Sequence, residues 1–295
     1  MAEEVFTQLN GIPKKQTSEP NSMAHGIPLK SGIIYGPVRS RRLGRSLGLN
    51  VSPVRYKLCS FNCVYCQYGW TDVSTLDTAK YKKDFPTVED FASALERVLI
   101  ESSNEGIDNI TFSGNGEPTL HPQFADLVDI ASMLKNKYCP TARLGVLSNS
   151  STVTMEKVRA ALDRLDFKIM KLDAGDVETF REINRPCPQV EYQDILASLK
   201  SMRNVTLQTM FVDGAFCNID EQKITSWMER VGEIRSVKAQ IYSLHRPSAA
   251  SSLKEVPAEK LKEIAARAEK ATGVDVEVIV AATPYRPHFS EPGQR

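Results

Sequence analysis

Cysteine is scarce in this chain, with six among 295 residues, and tryptophan scarcer still, with two. No apolar run approaches the roughly 20 residues that a membrane-spanning helix needs. The opening MAEEVFTQLNGIPKK lacks the basic start, apolar core and small-residue cleavage site of a secretory signal. Charge of one sign is missing as well: the formal net charge is +1, which makes no global electrostatic case for a nucleic-acid partner. These absences argue against a disulfide-stapled secreted domain, a helical membrane protein and a strongly basic nucleic-acid binder. They leave the reducing cytoplasm as the expected compartment. What is present, 41% apolar and 25% charged residues, suits a globular chain long enough to bury a core without cross-links.

Half of the six cysteines fall within eight positions, in KLCSFNCVYCQYG (57–69), as Cys59, Cys63 and Cys66. Thiolates are soft ligands for zinc, copper(I) or iron–sulfur clusters. Three in one loop can hold three corners of a tetrahedron or a cube. A structural zinc site wants a fourth protein ligand, commonly from a second Cys-x-x-Cys or a His pair. No such pair is visible: Cys139, Cys187 and Cys217 are isolated, and His25, His121, His245 and His288 are scattered. Packing for the lone cysteines and loop polarity for the histidines are the plain readings. The run RSRRLGR carries Arg39, Arg41, Arg42 and Arg45. It is either a solvated or ion-paired face, or a set of contacts to a substrate phosphate or carboxylate.

Residues 1–30 mix Pro, Gly, Ser, Asn and Lys without periodicity and are expected to form an irregular arm. From residue 31 to 281, short apolar runs fit for buried strands alternate with stretches of helical spacing. SLGLNV, NITF, Leu144 to Leu147, DFKIMKLD, NVTLQTMFV, SVKAQIYSL and VDVEVIV read as strands. Helices are expected at Val88–Ser102, capped by Thr87, at Pro122–Tyr138, and over TMEKVRAALDRL, EYQDILASLKSM, DEQKITSWMERVGEI and AEKLKEIAARAEKAT, with Asp220 a candidate cap. Six β-α units and a terminal strand imply an α/β fold: a parallel sheet, open and partly barrel-shaped, with helices outside. Residues 282–295 form a tail rich in Pro and Arg. The polar loops CSFNCVYC, SGNGEP, SNSS and LDAGD all follow strands, so in such a barrel they surround one mouth. On the DFKIMKLD strand, alternation sends Lys171 and Asp173 to one side and Lys168 to the other. Lys171 and Asp173 then face a ligand or form an internal ion pair.

Cys-x3-Cys-x2-Cys, with Tyr65 before the last cysteine, resembles the signature of the radical S-adenosylmethionine (radical SAM) superfamily. SGNGEP (Ser113–Pro118) resembles that superfamily's Gly-Gly-Glu-Pro motif. The likeness spans roughly Ile34 to Ile279. It implies a partial (β/α)6 barrel and a four-iron, four-sulfur cluster held by Cys59, Cys63 and Cys66, with a fourth iron left open for the amino and carboxylate groups of S-adenosylmethionine. It further implies reductive cleavage to a 5′-deoxyadenosyl radical that abstracts hydrogen from a substrate. In that light a missing fourth cysteine is a chemical requirement.

The same resemblance carries over to further positions. Gly114, Asn115, Gly116 and Glu117 match the motif that receives the methionine amino group. Ser148 and Asn149 match the place that binds the ribose hydroxyls or carboxylate. Tyr65 is expected near the adenine, and Tyr242 and Ser243 of QIYSLHRP where the backbone flanks it. The nearest likeness is to the wyosine-type branch of short radical SAM proteins, although this chain has no cysteine before Cys59 and so lacks the second cluster of the tRNA enzymes there. The implied partners are S-adenosylmethionine, an electron donor such as flavodoxin or ferredoxin, and a small anionic or RNA substrate. Two alternatives from other classes are an activating enzyme that installs a glycyl radical in a protein partner, and a zinc-stabilised binding protein.

Overall fold

The computed structural model describes residues 26–40, 42–102 and 106–280. Most of the expected arm and the whole expected tail, together with Arg41, His25 and His288, lie outside the described residues. Eight strands form one sheet in chain order: β1 (Ile34–Ser40), β2 (Gly44–Leu49), β3 (Asn109–Phe112), β4 (Arg143–Ser148), β5 (Phe167–Lys171), β6 (Val205–Met210), β7 (Lys238–Tyr242) and β8 (Val276–Ile279). From β2 onward every pairing is parallel. Helices α1 (Val88–Glu101), α2 (Phe124–Tyr138), α3 (Glu156–Leu162), α4 (Val177–Ile183), α5 (Tyr192–Ser201), α6 (Glu221–Ile234) and α7 (Ala258–Thr272) fill the crossovers. The result is the α/β partial barrel of six β-α units and a closing strand that the alternating pattern implies.

Local chemistry sets the element boundaries. The Thr87 side chain accepts from the Asp90 N–H and opens α1, whose Phe91, Leu95 and Leu99 are buried on one face. In α6 the buried stripe is Ile224, Trp227, Val231 and Ile234. Asp220 stands at the N-cap position of α6, but its side chain makes no capping bond and instead lies 3.6 Å from the Lys223 ammonium. The indole N–H of Trp227 donates to Thr209 Oγ1 (2.9 Å) and to the Leu172 carbonyl (3.2 Å), tying α6 to the ends of β5 and β6.

Two elements depart from the sequence reading. Ile34–Ser40 is a strand that pairs antiparallel with β2, so the sheet is not parallel throughout. The arginine run sits in this hairpin: Ser40 Oγ accepts the N–H groups of Arg42 and Leu43, and Gly44, at φ 60°, turns the chain into β2. Helix α4 occupies residues that the sequence reading assigned to no element; Asp176 opens it by accepting from Thr179 N (2.7 Å) and Thr179 Oγ1 (2.9 Å). Seven residues are too few for helical periodicity to stand out.

Alternation along the strands separates two faces. Leu47, Leu49, Ile110, Phe112, Leu144, Val146, Met170, Leu172, Leu207, Ala239 and Ile241 join one core cluster with the helices. Many of the intervening positions are small or polar, among them Ser46, Thr111, Gly145, Lys171, Gln208, Gln240 and Tyr242, with Leu147 and Ile169 apolar exceptions on β4 and β5. The sheet curls around this second face. Strands β2 and β7 are five intervals apart, roughly 24 Å in a flat sheet at ~4.8 Å per strand. Yet the Arg42 guanidinium, from the β1–β2 turn, lies 5.0 Å from the centre of the Tyr242 ring on β7.

His121, just beyond the Glu117 turn, joins that turn to the segment before α1. Its Nδ1 accepts from Gln123 N (3.0 Å), so Nε2 carries the proton donated to the Pro86 carbonyl (3.0 Å), and Phe85 meets the ring edge-on at 5.3 Å. Burial holds its pKa below the ordinary value of 6.5. A base whose folded pKa is depressed stabilises the fold above its unfolded pKa and loses that contribution as pH falls below it. The urea midpoint is therefore expected to fall as pH drops below about 6.5, and His121→Gln to flatten that slope; an unchanged slope in the variant refutes the assignment.

Candidate functional site

The three clustered cysteines sit on the loop after β2, and backbone bonds fix that loop on several sides. Leu58–Cys59 pairs in parallel with Val73–Ser74, closing the loop at its base. Asn62 N donates to the carbonyls of Asn184 and Arg185, Val64 N to the Ile183 carbonyl, Cys187 N to the Ser60 carbonyl and Ala250 N to the Val64 carbonyl. On another side Ile27 N donates to the Gln67 carbonyl (2.6 Å). A loop with this many external backbone bonds is held in place before any ligand arrives.

The thiols are free rather than disulfide-bonded: Cys59 is buried and Cys63 and Cys66 half-buried. Burial pushes the Cys59 thiol up to about 12, against the pull of Lys57. Burial, then the nearby Asp173 charge, pushes Cys63 up to about 11. Such thiols give up their protons readily only to a metal that takes their place. Two side-chain amides donate to them, Asn149 Nδ2 to Cys59 Sγ and Asn184 Nδ2 to Cys63 Sγ, each at 3.5 Å.

Lys57 adds a buried charge. Its ammonium, on a residue only 3% exposed, donates to the Gly69 carbonyl at 2.7 Å. Burial lowers its pKa, but Cys66, Cys59 and Cys63 together outweigh this and raise it. Among the described residues no three His, Cys, Asp or Glu side chains converge on one ion-binding point.

The ends of β3 and β4 press onto this loop. Gly114 has φ +139° and lies so close to Asn50 that an added Cβ would stand 2.4 Å from its Oδ1; at Gly116 a Cβ would meet the Leu58 carbonyl oxygen at 1.9 Å. Only glycine lets the β3 end approach the cysteine loop this closely. Glu117 is buried, and burial raises its pKa against its hydrogen bonds. Its oxygens accept from Asn149 N (2.5 Å), Thr119 N (3.1 Å) and Thr119 Oγ1 (2.5 Å). Asn149 in turn donates from Nδ2 to Ser60 Oγ (2.9 Å), and Ser148 Oγ accepts from Ser150 N (3.1 Å).

Beyond them lies a buried charged network. Asp173, at the end of β5, accepts from the Tyr65 hydroxyl, from Asn184 Nδ2 (2.7 Å) and from Met210 N (2.7 Å), and stands 3.6 Å from the Lys171 ammonium. Lys171 donates to the Tyr242 hydroxyl (2.7 Å), which donates to Gln208 Oε1 (3.1 Å). Burial lowers the Lys171 pKa, but Asp173 and Tyr242 reverse that and raise it. Lys171 and Asp173 share a side, as strand alternation implies, and form the internal pair. Lys168 turns the other way to Asp163 (2.9 Å).

The fold thus gathers Cys59, Cys63, Tyr65, Glu117, Asn149, Lys171, Asp173 and Tyr242 into one connected patch at the strand ends. Two expected residues turn elsewhere. Asn115 spends its side chain on Lys30 N (2.6 Å), Lys30 O (2.9 Å) and Pro53 O (3.2 Å). Ser243 bridges the Phe211 carbonyl and Val256 N. Sequence reasoning missed Lys57 and Asn184. Lys57 carried a weak signal, a cation two residues before the first cysteine; Asn184 carried none, because it meets Cys63 only through the fold.

Comparisons with known proteins agree with this geometry. The model of the radical SAM superfamily matches residues 54–231. The UPF0026 protein MJ1312 of Methanocaldococcus jannaschii is 32% identical over 239 residues, covering 79% of this chain and 70% of that protein. A protein named GTPase Obg in Brachyspira hyodysenteriae is 28% identical over 272 residues; the alignment takes in 90% of this chain but only 38% of the longer relative. In fold, the chain resembles TYW1 with a lysine-pyruvate adduct bound, with a TM-score of 0.51 at 15% identity over 77% of this chain and 73% of that one. No helix among the described residues is long and apolar enough to cross a membrane. With a family model that spans well over half of its length and includes the cysteine loop, this chain belongs to the radical SAM superfamily of enzymes.

Proposed function

We propose that Cys59, Cys63 and Cys66 hold a four-iron, four-sulfur cluster, and that the chain uses it to cleave S-adenosylmethionine reductively for hydrogen abstraction from a substrate. The observation that carries this reading is the loop itself: three unpaired thiols, preset by backbone bonds, on a loop that also buries the Lys57 ammonium. When bound, the cluster supplies one electron at an iron left without a protein ligand, drawn from a donor such as flavodoxin or ferredoxin.

The chain's own residues then have separable tasks. Lys57 offsets the negative charge of the thiolates, and the amides of Asn149 and Asn184 donate to the Cys59 and Cys63 sulfurs. Gly114 and Gly116 bring the β3 end against the loop, so that the Gly114–Glu117 backbone flanks the place where the methionine amino group is received. Glu117 fixes the Asn149 N–H beside it. Ser148 and Asn149 face the carboxylate or ribose, and Tyr65, Lys171, Asp173 and Tyr242 form the wall toward the adenosine. Asn115 and Ser243 contribute through backbone position, their side chains being committed to the fold.

Anaerobic reconstitution is expected to give brown, oxygen-sensitive protein with iron and sulfide near about four per chain, and 5′-deoxyadenosine on reduction with S-adenosylmethionine. Absence of 5′-deoxyadenosine with strong reductants sinks the reading, and colourless protein carrying one zinc supports the zinc-site alternative instead. Cys63→Ala is expected to lose both colour and cleavage. Asp173→Ala strips the buried partner from Lys171 and is expected to lower unfolding free energy by about 3–5 kcal/mol, read as a drop in urea midpoint; a shift under about 1 kcal/mol contradicts its role as the organiser of the network.

A further inference from the structure

The curled face of the sheet carries polar groups that the cofactor reading leaves over. By register, Lys171 on β5, Gln208 on β6, Gln240 on β7 and Glu277 on β8 stand side by side across four neighbouring strands. Arg42 reaches the same place from the β1–β2 turn. Its guanidinium lies over the Tyr242 ring at 5.0 Å, and the Lys171 ammonium over that ring at 4.8 Å. Three atoms of this group are closed off from solvent and find no hydrogen-bond partner among the described residues: Arg42 Nη1, Gln208 Nε2 and Gln240 Oε1. Buried polar atoms are nearly always paired, so three orphans on one face point to a molecule that completes them.

Charge selects the kind of molecule. Two cations meet at Tyr242. Asp173 pairs with Lys171 at 3.6 Å and already accepts from Tyr65, Asn184 and Met210 N. Glu277 accepts from Gln240 Nε2 (3.0 Å) and lies 3.5 Å from Lys238. Arg42 has no carboxylate partner among the described residues. The orphan donors are a planar guanidinium edge and a neutral amide, whereas phosphate sites draw on clustered backbone N–H groups or helix N-termini. A guanidinium edge fits carboxylate and phosphate alike, and one guanidinium with one neutral amide suits the single charge of a carboxylate better than a phosphate dianion.

We propose that this face binds the substrate's carboxylate: Arg42 Nη1 and Gln208 Nε2 donate to it, and Gln240 Oε1 accepts an N–H or O–H of the same molecule. The substrate class is a small amino or hydroxy acid. This rests on the radical SAM reading for the identity of the cofactor beside it, but concerns separate atoms. Arg42 is the specificity residue, and Tyr242, stacked against it, holds its guanidinium in place.

The test uses the full chain, reconstituted and saturated with S-adenosylmethionine without reductant, so that the cofactor site is filled. Iron content and S-adenosylmethionine binding are read first, and failure there counts against the cofactor reading alone. Lactate, glycolate and alanine are then titrated by ligand-observed NMR, beside lactamide, glycolamide, alaninamide, inorganic phosphate and a short single-stranded RNA. The same titrations are run on the apo chain, whose Arg42, Gln208 and Gln240 are unchanged, so they proceed even where the cluster does not form. The acids are expected to bind at least about tenfold more tightly than their amides and than phosphate. Arg42→Met and Gln208→Leu are each expected to weaken that binding about tenfold or more, with S-adenosylmethionine affinity unchanged in Arg42→Met and Arg42→Lys intermediate. Far-UV circular dichroism checks that each variant folds, and Gln208→Leu, a buried strand position accepting an apolar side chain, serves should Arg42→Met not fold. Acids bound no better than amides, equal binding by folded variants, preference for phosphate or RNA, or no acid binding below about 10 mM each overturns the proposal.

Discussion

Asp173 is the buried charge on which the mouth of the barrel depends. A carboxylate out of water must be matched by donors or a cation, and this one draws a partner from each of its surroundings. Tyr65 comes from the cysteine loop, Lys171 from β5, Met210 N from the end of β6 and Asn184 from the end of α4. Its own carbonyl accepts from Asn218 Nδ2, which also holds the Met210 carbonyl. One desolvated group thereby sets the relative positions of four segments far apart in the chain. Asn184 extends the same network to the Cys63 sulfur, so what orders the sheet ends also orders the cysteine loop.

The opposite side of the mouth is set by close approach rather than charge. Gly114 and Gly116 let the backbone approach the Asn50 side chain and the Leu58 carbonyl, and the Glu117 carboxylate then fixes the next loop through Asn149 N. Short range and steric demand make this side rigid, while the buried Lys57 ammonium donates to the Gly69 carbonyl within the loop. Charge and contact thus meet at the three cysteines. The polar row behind them, with its unpartnered Arg42, Gln208 and Gln240 atoms, marks the part of the barrel face that the protein's own groups do not satisfy.

Most of the architecture was legible in the sequence. Strands β2 to β8 and six of the seven helices carry the apolar spacing that names them, because each must turn an apolar stripe toward one core. The cap at Thr87, the cysteine loop and the SGNGEP turn rest on interactions within a few residues, and local interactions are what a sequence displays. Strand β1 was not legible: its residues are half-buried or exposed, and its antiparallel pairing turns on Ser40 and Gly44. Helix α4 was too short to show a period.

By itself the sequence determined the α/β alternation, the cysteine spacing and the side of β5 on which Lys171 and Asp173 lie, since strand and helix periods follow from backbone geometry alone. Only the tertiary structure decided which of the singled-out side chains meet. It joined Tyr65 to Asp173 and Asn149 to Cys59, turned Asn115 toward Lys30 and Pro53, and carried Arg42 across the curled sheet to Tyr242. The reason is physical: hydrogen bonds and ion pairs act over a few ångströms. Which groups come that close, when they are tens of residues apart in the chain, depends on how the sheet curls and how its loops pack.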